Sequence, residues 1–119
     1  MSNQNIEITD EYVNEKVSKG RQYILVHLLK GPNYDSDRIS QEEIQKAHLR
    51  HLFKLKAGGK LLLVGPLIEK SELRGIAIYD VPETVEAKKL VEDDPAVKAG
   101  VFVYEIYRWF GIPGDGLPV

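Results

Sequence analysis

Apolar residues along the chain fall into four short runs, separated by stretches with a longer period. "RQYILVHLLK" (21–30) is rich in strand-forming residues and bounded by Gly20 and Gly31-Pro32, so it predicts a first strand. "KLLLVGPL" (60–67), "LRGIAIYDV" (73–81) and "GVFVYEIYRWF" (100–110) predict three more, with "IEKSE" (68–72) as a turn. Between the first two runs, Ser40 followed three residues on by Glu43 reads as a capping box, and Gly58-Gly59 ends the helix it opens. Pro82 and Thr84 open a second helix. It stops before Pro95, because the residue preceding a proline is pushed out of the α region. Residues 1–20 carry a weak helical pattern (Ile8, Tyr12, Val17) and predict a short helix outside the main core. The tail "GIPGDGLPV" (111–119) is predicted to lie along a surface.

The resulting order is βαββαβ over residues 21–110, with an N-terminal extension (1–20) and a C-terminal tail (111–119). Right-handed crossovers then give an α+β, ferredoxin-like antiparallel sheet with both helices on one face. The strands are apolar on both faces: Ile24, Val26 and Leu28 alternate with Tyr23, Leu25 and Leu29. Two helices cover only one face, and a bare apolar face is too large a patch for a soluble monomer. A second copy packed face to face, forming a dimeric α+β barrel, is the expected cover. The alternative is that the N-terminal helix or the tail covers that face.

Composition narrows the function classes. The formal net charge of −2 leaves no electrostatic footprint for nucleic acid or an anionic membrane, and no apolar run approaches the roughly 20 residues of a membrane span. The first residues, "MSNQNIEITDEYV", have neither the basic nor the apolar region of a secretory signal, so a cytoplasmic protein is expected. Cysteine is absent, which removes disulfides, thiolate catalysis and Cys-based metal sites. There is no phosphate loop, dinucleotide fingerprint or nucleophile elbow.

At about 100° per residue, Ile44, His48, Leu52 and Leu55 share one stripe of the first helix. His48 therefore points at the sheet from an apolar face, where a core histidine bonded to a backbone carbonyl is the plain reading. His51 reads as a rim residue. In this topology, however, the end of strand 1, the N-terminal half of helix 1, the end of helix 2 and the start of strand 4 meet at one end of the sheet. That end collects His27, His48 and the "DDP" of Asp93-Asp94-Pro95. A carboxylate beside an imidazole fixes its tautomer and stabilises its charged form, which suits a general acid/base. Asp94 is the candidate partner of His48; its alternative role is to cap the bend after it. Asp93 is expected to be solvated. Gly65-Pro66 can end a strand or admit a ligand close to the backbone. Tyr34, Asp35, Asp37 and Arg38 lie in a loop able to close over a pocket, and Trp109 and Tyr107 can line a pocket or an interface. His27, His48 and His51 make a poor metal-ligand set, so no metal is expected.

The segments "LLKGPNYD", "AHLRHLFKLKAGGKLLLVGPL", "LRGIAIYDV" and "EDDPAVKAGVFVYEIYRWF" together resemble the YCII-related (YciI-like) family over about residues 21–110. The resemblance implies a dimeric α+β barrel with a histidine/aspartate active site, falling here on His48 and Asp94. It places Gly65-Pro66 at the pocket wall. Arg108-Trp109 stands where many members read Pro-Trp. Substrate contacts are expected from His27, Tyr34, Arg38, Gly65, Pro66 and Trp109. The expected function is a cofactor-free lyase, isomerase or dehydrochlorinase-like enzyme moving a proton on a small organic compound. The alternative is a non-catalytic small-molecule binding or sensing dimer.

Overall fold

The computed structural model describes residues 6–36 and 40–119. The elements are α1 (Asp10–Ser18), β1 (Arg21–Lys30), α2 (Gln41–Ala57), β2 (Leu61–Pro66), β3 (Leu73–Tyr79), α3 (Thr84–Glu92), α4 (Pro95–Lys98) and β4 (Phe102–Gly111). All strand pairs are antiparallel, in the order β2-β3-β1-β4, which is the expected ferredoxin-like arrangement.

Local chemistry sets the boundaries. Ser40 caps α2 by accepting from the Glu43 N–H. At its other end the Lys60 N–H reaches back to the Leu55 carbonyl, around Gly59 at φ 76°, a left-handed conformation that glycine adopts without strain. The second helix stops at Glu92 as the proline predicts, but the chain does not stay extended. Asp94 caps a further turn of helix, α4, with Pro95 in the first helical position, where its fixed φ fits and its missing N–H costs nothing.

Side-chain alternation sorts the sheet into two faces. Ile24, Val26, Leu28, Ala77 and Tyr79 face the helices and form the core with Leu52, Leu61, Val81, Ala87 and Val91. On the other face, Leu25 and His27 of β1 lie beside Ile76 and Ile78 of β3 and Glu105 and Tyr107 of β4. Ile76, Val103, Tyr107 and Trp109 are each at least 40% exposed there, so among the described residues this is a wide apolar surface left largely open. The tail lies beside one corner of it, near Tyr23, Leu63, Ile78 and Trp109. The N-terminal helix leaves the face bare: α1 has no buried residue, and Tyr12, Val13 and Val17 are exposed.

The loop after β1 is locked onto the start of β4. Gly31 and Asn33 N–H groups donate to the Val101 and Gly100 carbonyls (both 2.8 Å), and the Asn33 side chain donates to the Ala99 carbonyl. A Cβ on Gly31 would stand 2.3 Å from the Gly100 oxygen, so only glycine permits this approach.

Candidate active site

α2 carries His48 over the end of the sheet where β1 finishes and β4 begins. The α3–α4 junction brings Asp94 to the same place from 46 residues away in sequence. His48 Nδ1 lies 2.6 Å from Asp94 Oδ2, and the two side chains are only 8% and 4% exposed. Asp94 Oδ1 accepts from the Ala96 N–H at 2.8 Å. The two roles weighed for Asp94, imidazole partner and helix cap, are therefore filled together, one by each oxygen. The cap fixes the carboxylate, and the carboxylate fixes the ring. Nearby, burial pushes the Tyr79 phenol well above its usual range, and the charge of Asp94 adds to the shift, so this hydroxyl stays protonated.

Because Nδ1 faces a carboxylate, it holds the proton of the neutral ring, and Nε2 is left as the acceptor. Among the described residues Nε2 has no hydrogen-bond partner, and His48 lines a cavity of about 260 Å³. Leu28, Leu52, Val64 and Phe102 make its walls largely apolar, and the Phe102 ring stands 5.3 Å from the imidazole, centroid to centroid. Gly65 and Pro66 line it from β2, and a side chain on Gly65 would meet nothing within 4 Å, so the cavity is open on that side. At this volume, just below the usual range for ligand sites, the cavity suits one small ring.

The other residues singled out from the sequence fall in different places. Tyr34 sits beyond Phe102, with ring centroids 6.0 Å apart, in an adjoining hollow with Gln41 and Gln45. Arg38 and Asp37 lie outside the described residues. His27 lies on the open face, against the Tyr107 ring and 3.9 Å from Glu105, and Trp109 lies on that face against Tyr23 at the far end of the sheet. The structure does not bring either to the His48 cavity. His51 donates from Nε2 to the Leu90 carbonyl (2.9 Å), tying α2 to α3; it holds the structural role weighed for His48. Asp93 is exposed at the end of α3. Among the described residues no three His, Cys, Asp or Glu side chains gather as metal ligands, and no helix is long and apolar enough to cross a membrane. Arg74, Lys56 and Gln45, which the sequence did not mark, line the cavity with His48.

An antiparallel α+β sheet with a buried histidine–aspartate pair facing a small apolar cavity defines the class. A family model of the YCII-related domain matches residues 25–110, and the chain belongs to that family. Among solved structures, the chain is similar to 5-chloro-2-hydroxyhydroquinone dehydrochlorinase from Burkholderia phenoliruptrix AC1100, described in complex with 2,5-dihydroxybenzoquinone. The identity is 25% and the TM-score 0.57, over 73% of this chain and 92% of that one. No curated protein matches the chain.

Proposed function

We propose that this protein is a cofactor-free acid/base enzyme of lyase or isomerase type, acting on a small ring compound. The observation that carries the reading is the buried His48–Asp94 pair, with Nε2 turned to an apolar cavity. Nε2 takes a proton from an O–H or C–H of the substrate. The electron pair of the broken bond stays with the substrate, which passes it to a leaving group or to a carbon that is then protonated. Asp94 holds the ring in the tautomer that leaves Nε2 free and stabilises the imidazolium formed. The apolar walls exclude water, which would otherwise compete for the proton and weaken these electrostatic effects. Similarity to a dehydrochlorinase supports a ring substrate that loses a leaving group.

The test is turnover of 5-chloro-2-hydroxyhydroquinone, followed as chloride release, together with solvent deuterium exchange into ring compounds of that size. His48→Gln is expected to lower the rate by roughly 100- to 10,000-fold, the usual loss for a general acid/base. Unchanged turnover in that variant would remove the reading; ring compounds that bind without turnover or exchange would favour the binding or sensing alternative.

The partner we propose is a second copy, packed on the bare sheet face. Sedimentation at micromolar concentration is expected to give a dimer, and Leu25→Glu, which sets a charge on that face, is expected to give monomer or unfolded chain. A monomeric wild type would overturn the pairing.

A further inference from the structure

Strict alternation along β3 puts Gly75, Ala77 and Tyr79 under the helices and would send Arg74 to the open face with Ile76 and Ile78. The register does not alternate there. One step of β1, from Leu28 to Leu29, faces two steps of β3, from Gly75 to Leu73, and Arg74 is left without an opposing residue on β1. A bulge of this kind kinks the strand and re-aims a side chain, and bulges recur beside functional sites. Here the guanidinium stands 5.9 Å from the centroid of the Tyr34 ring, and Arg74 lines the His48 cavity.

Among the described residues the guanidinium is anchored at one nitrogen. Nη1 donates to the Glu69 carbonyl at 2.9 Å and, more weakly, to the Ser71 carbonyl at 3.4 Å. Among the described residues Nη2 and Nε make no hydrogen bond, and Arg74 has no carboxylate partner. Lys56, two turns beyond His48 on α2, lines the same cavity; its ammonium stands over the Phe53 ring and also has no carboxylate partner among the described residues. Among the described residues no Asp or Glu lines the cavity, and Asp94 is turned to the far side of the imidazole. In a chain of net charge −2, this cavity is a local concentration of positive charge between apolar walls.

We propose that the cavity takes an anionic single-ring compound, a ring carboxylate or phenolate. Arg74 holds its charged oxygens, and Lys56 adds attraction at the mouth. This deepens the acid/base reading and rests on it for the part played by His48. Proton removal from such a compound leaves a second negative charge on the ring, and a fixed guanidinium facing an apolar space stabilises that charge at the moment it forms. Arginine suits the task because its planar fork meets two oxygens at once and stays charged.

The experiment is calorimetric titration of the full-length protein with 2,5-dihydroxybenzoate and, separately, with the uncharged 2,5-dihydroxybenzamide. The carboxylate is expected to bind more tightly by about tenfold or more, and added salt is expected to narrow the gap. Arg74→Gln is expected to abolish the preference by weakening the carboxylate while leaving the amide nearly unchanged; Lys56→Gln should reduce it by a smaller factor. Equal binding of the two compounds, binding of neither, or a preference that survives Arg74→Gln would overturn the proposal. If Arg74→Gln loosens the turn at 68–72, the carboxylate-to-amide ratio of wild type and its salt dependence still decide. His48→Gln separates the two readings: an Arg74-dependent preference without His48-dependent turnover keeps the anion site and removes the acid/base enzyme. His48-dependent turnover without the preference does the reverse.

Discussion

The two faces of the sheet each hold a histidine beside a carboxylate, and the pairs differ in almost every physical respect. His48 and Asp94, under the helices, are 2.6 Å apart and nearly sealed from solvent. His27 and Glu105, on the open face, are 3.9 Å apart with side chains 29% and 52% exposed. Glu105 Oε1 also accepts the Tyr107 hydroxyl at 2.9 Å, so its first obligation is elsewhere. Residue type alone does not make a dyad. Burial keeps water from competing for the imidazole, and the Ala96 N–H holds the carboxylate in position; the open pair has neither. A third pair isolates the variable. Arg21 and Asp80 meet through two hydrogen bonds, at 2.9 and 3.2 Å, yet remain half-exposed. Short distance without burial makes a surface ion pair, and such pairs add little.

The largest expected contrast is in stability. Asp94→Ala strips a buried pair of one partner and removes the α4 cap, so a cost of about 3–5 kcal/mol is expected from urea unfolding, with about 1 kcal/mol of it traceable to the cap. Glu105→Ala should cost less than about 1 kcal/mol. Equal costs would erase the distinction between the faces. Asp94→Asn sharpens it, because asparagine caps a helix about as well as aspartate but carries no charge. It should recover the cap's share of stability while turnover stays low.

Next in size is His51→Gln. It removes the bond to the Leu90 carbonyl, at a cost of about 1 kcal/mol, and should leave turnover nearly unchanged, whereas His48→Gln should lower it by roughly 100- to 10,000-fold. A turnover loss as large in His51→Gln would show that the rate depends on α2–α3 docking and not on the dyad. The smallest effect is at Asp80. The hydrogen bond from the Arg21 guanidinium holds this carboxyl below its ordinary range. A depressed carboxylate contributes stability above its unfolded pKa, lost as pH falls through its folded value. Asp80→Asn should therefore differ from wild type slightly at neutral pH and converge with it on the acid side, in unfolding midpoints measured against pH. An unchanged difference at low pH would show that the residue acts through shape and not charge.

Much of this was readable from the chain, and the parts that were not have physical causes. Helical periodicity put His48 on the apolar stripe of α2, and right-handed crossovers carried Asp94 to it, because both signals depend on local pattern and general topology. Topology groups His27 with them because it lies near the same end of the sheet. Position along a strand says nothing about face, however, and alternation from the buried Val26 and Leu28 turns His27 away from the helices. The α4 turn was hidden because Pro95 reads equally as the end of one helix and the first residue of another. Arg74 was hidden for a different reason: its direction follows from a register shift between two strands, which neither strand's own pattern contains. The bare face was legible as a surplus of apolar residues on alternate positions; the identity of its cover was not.

The two bonds of Asp94 also make the site self-reporting. The Ala96 amide donates to the same carboxylate that orients His48, and an amide so bonded is expected to exchange slowly with solvent. Whatever displaces or reorients that carboxylate must also change how fast one backbone proton, sited in an otherwise unremarkable helical turn, is traded for deuterium. A single resonance therefore serves as a gauge of the buried His48–Asp94 pair, readable without a substrate, a product or any assumption about a reaction.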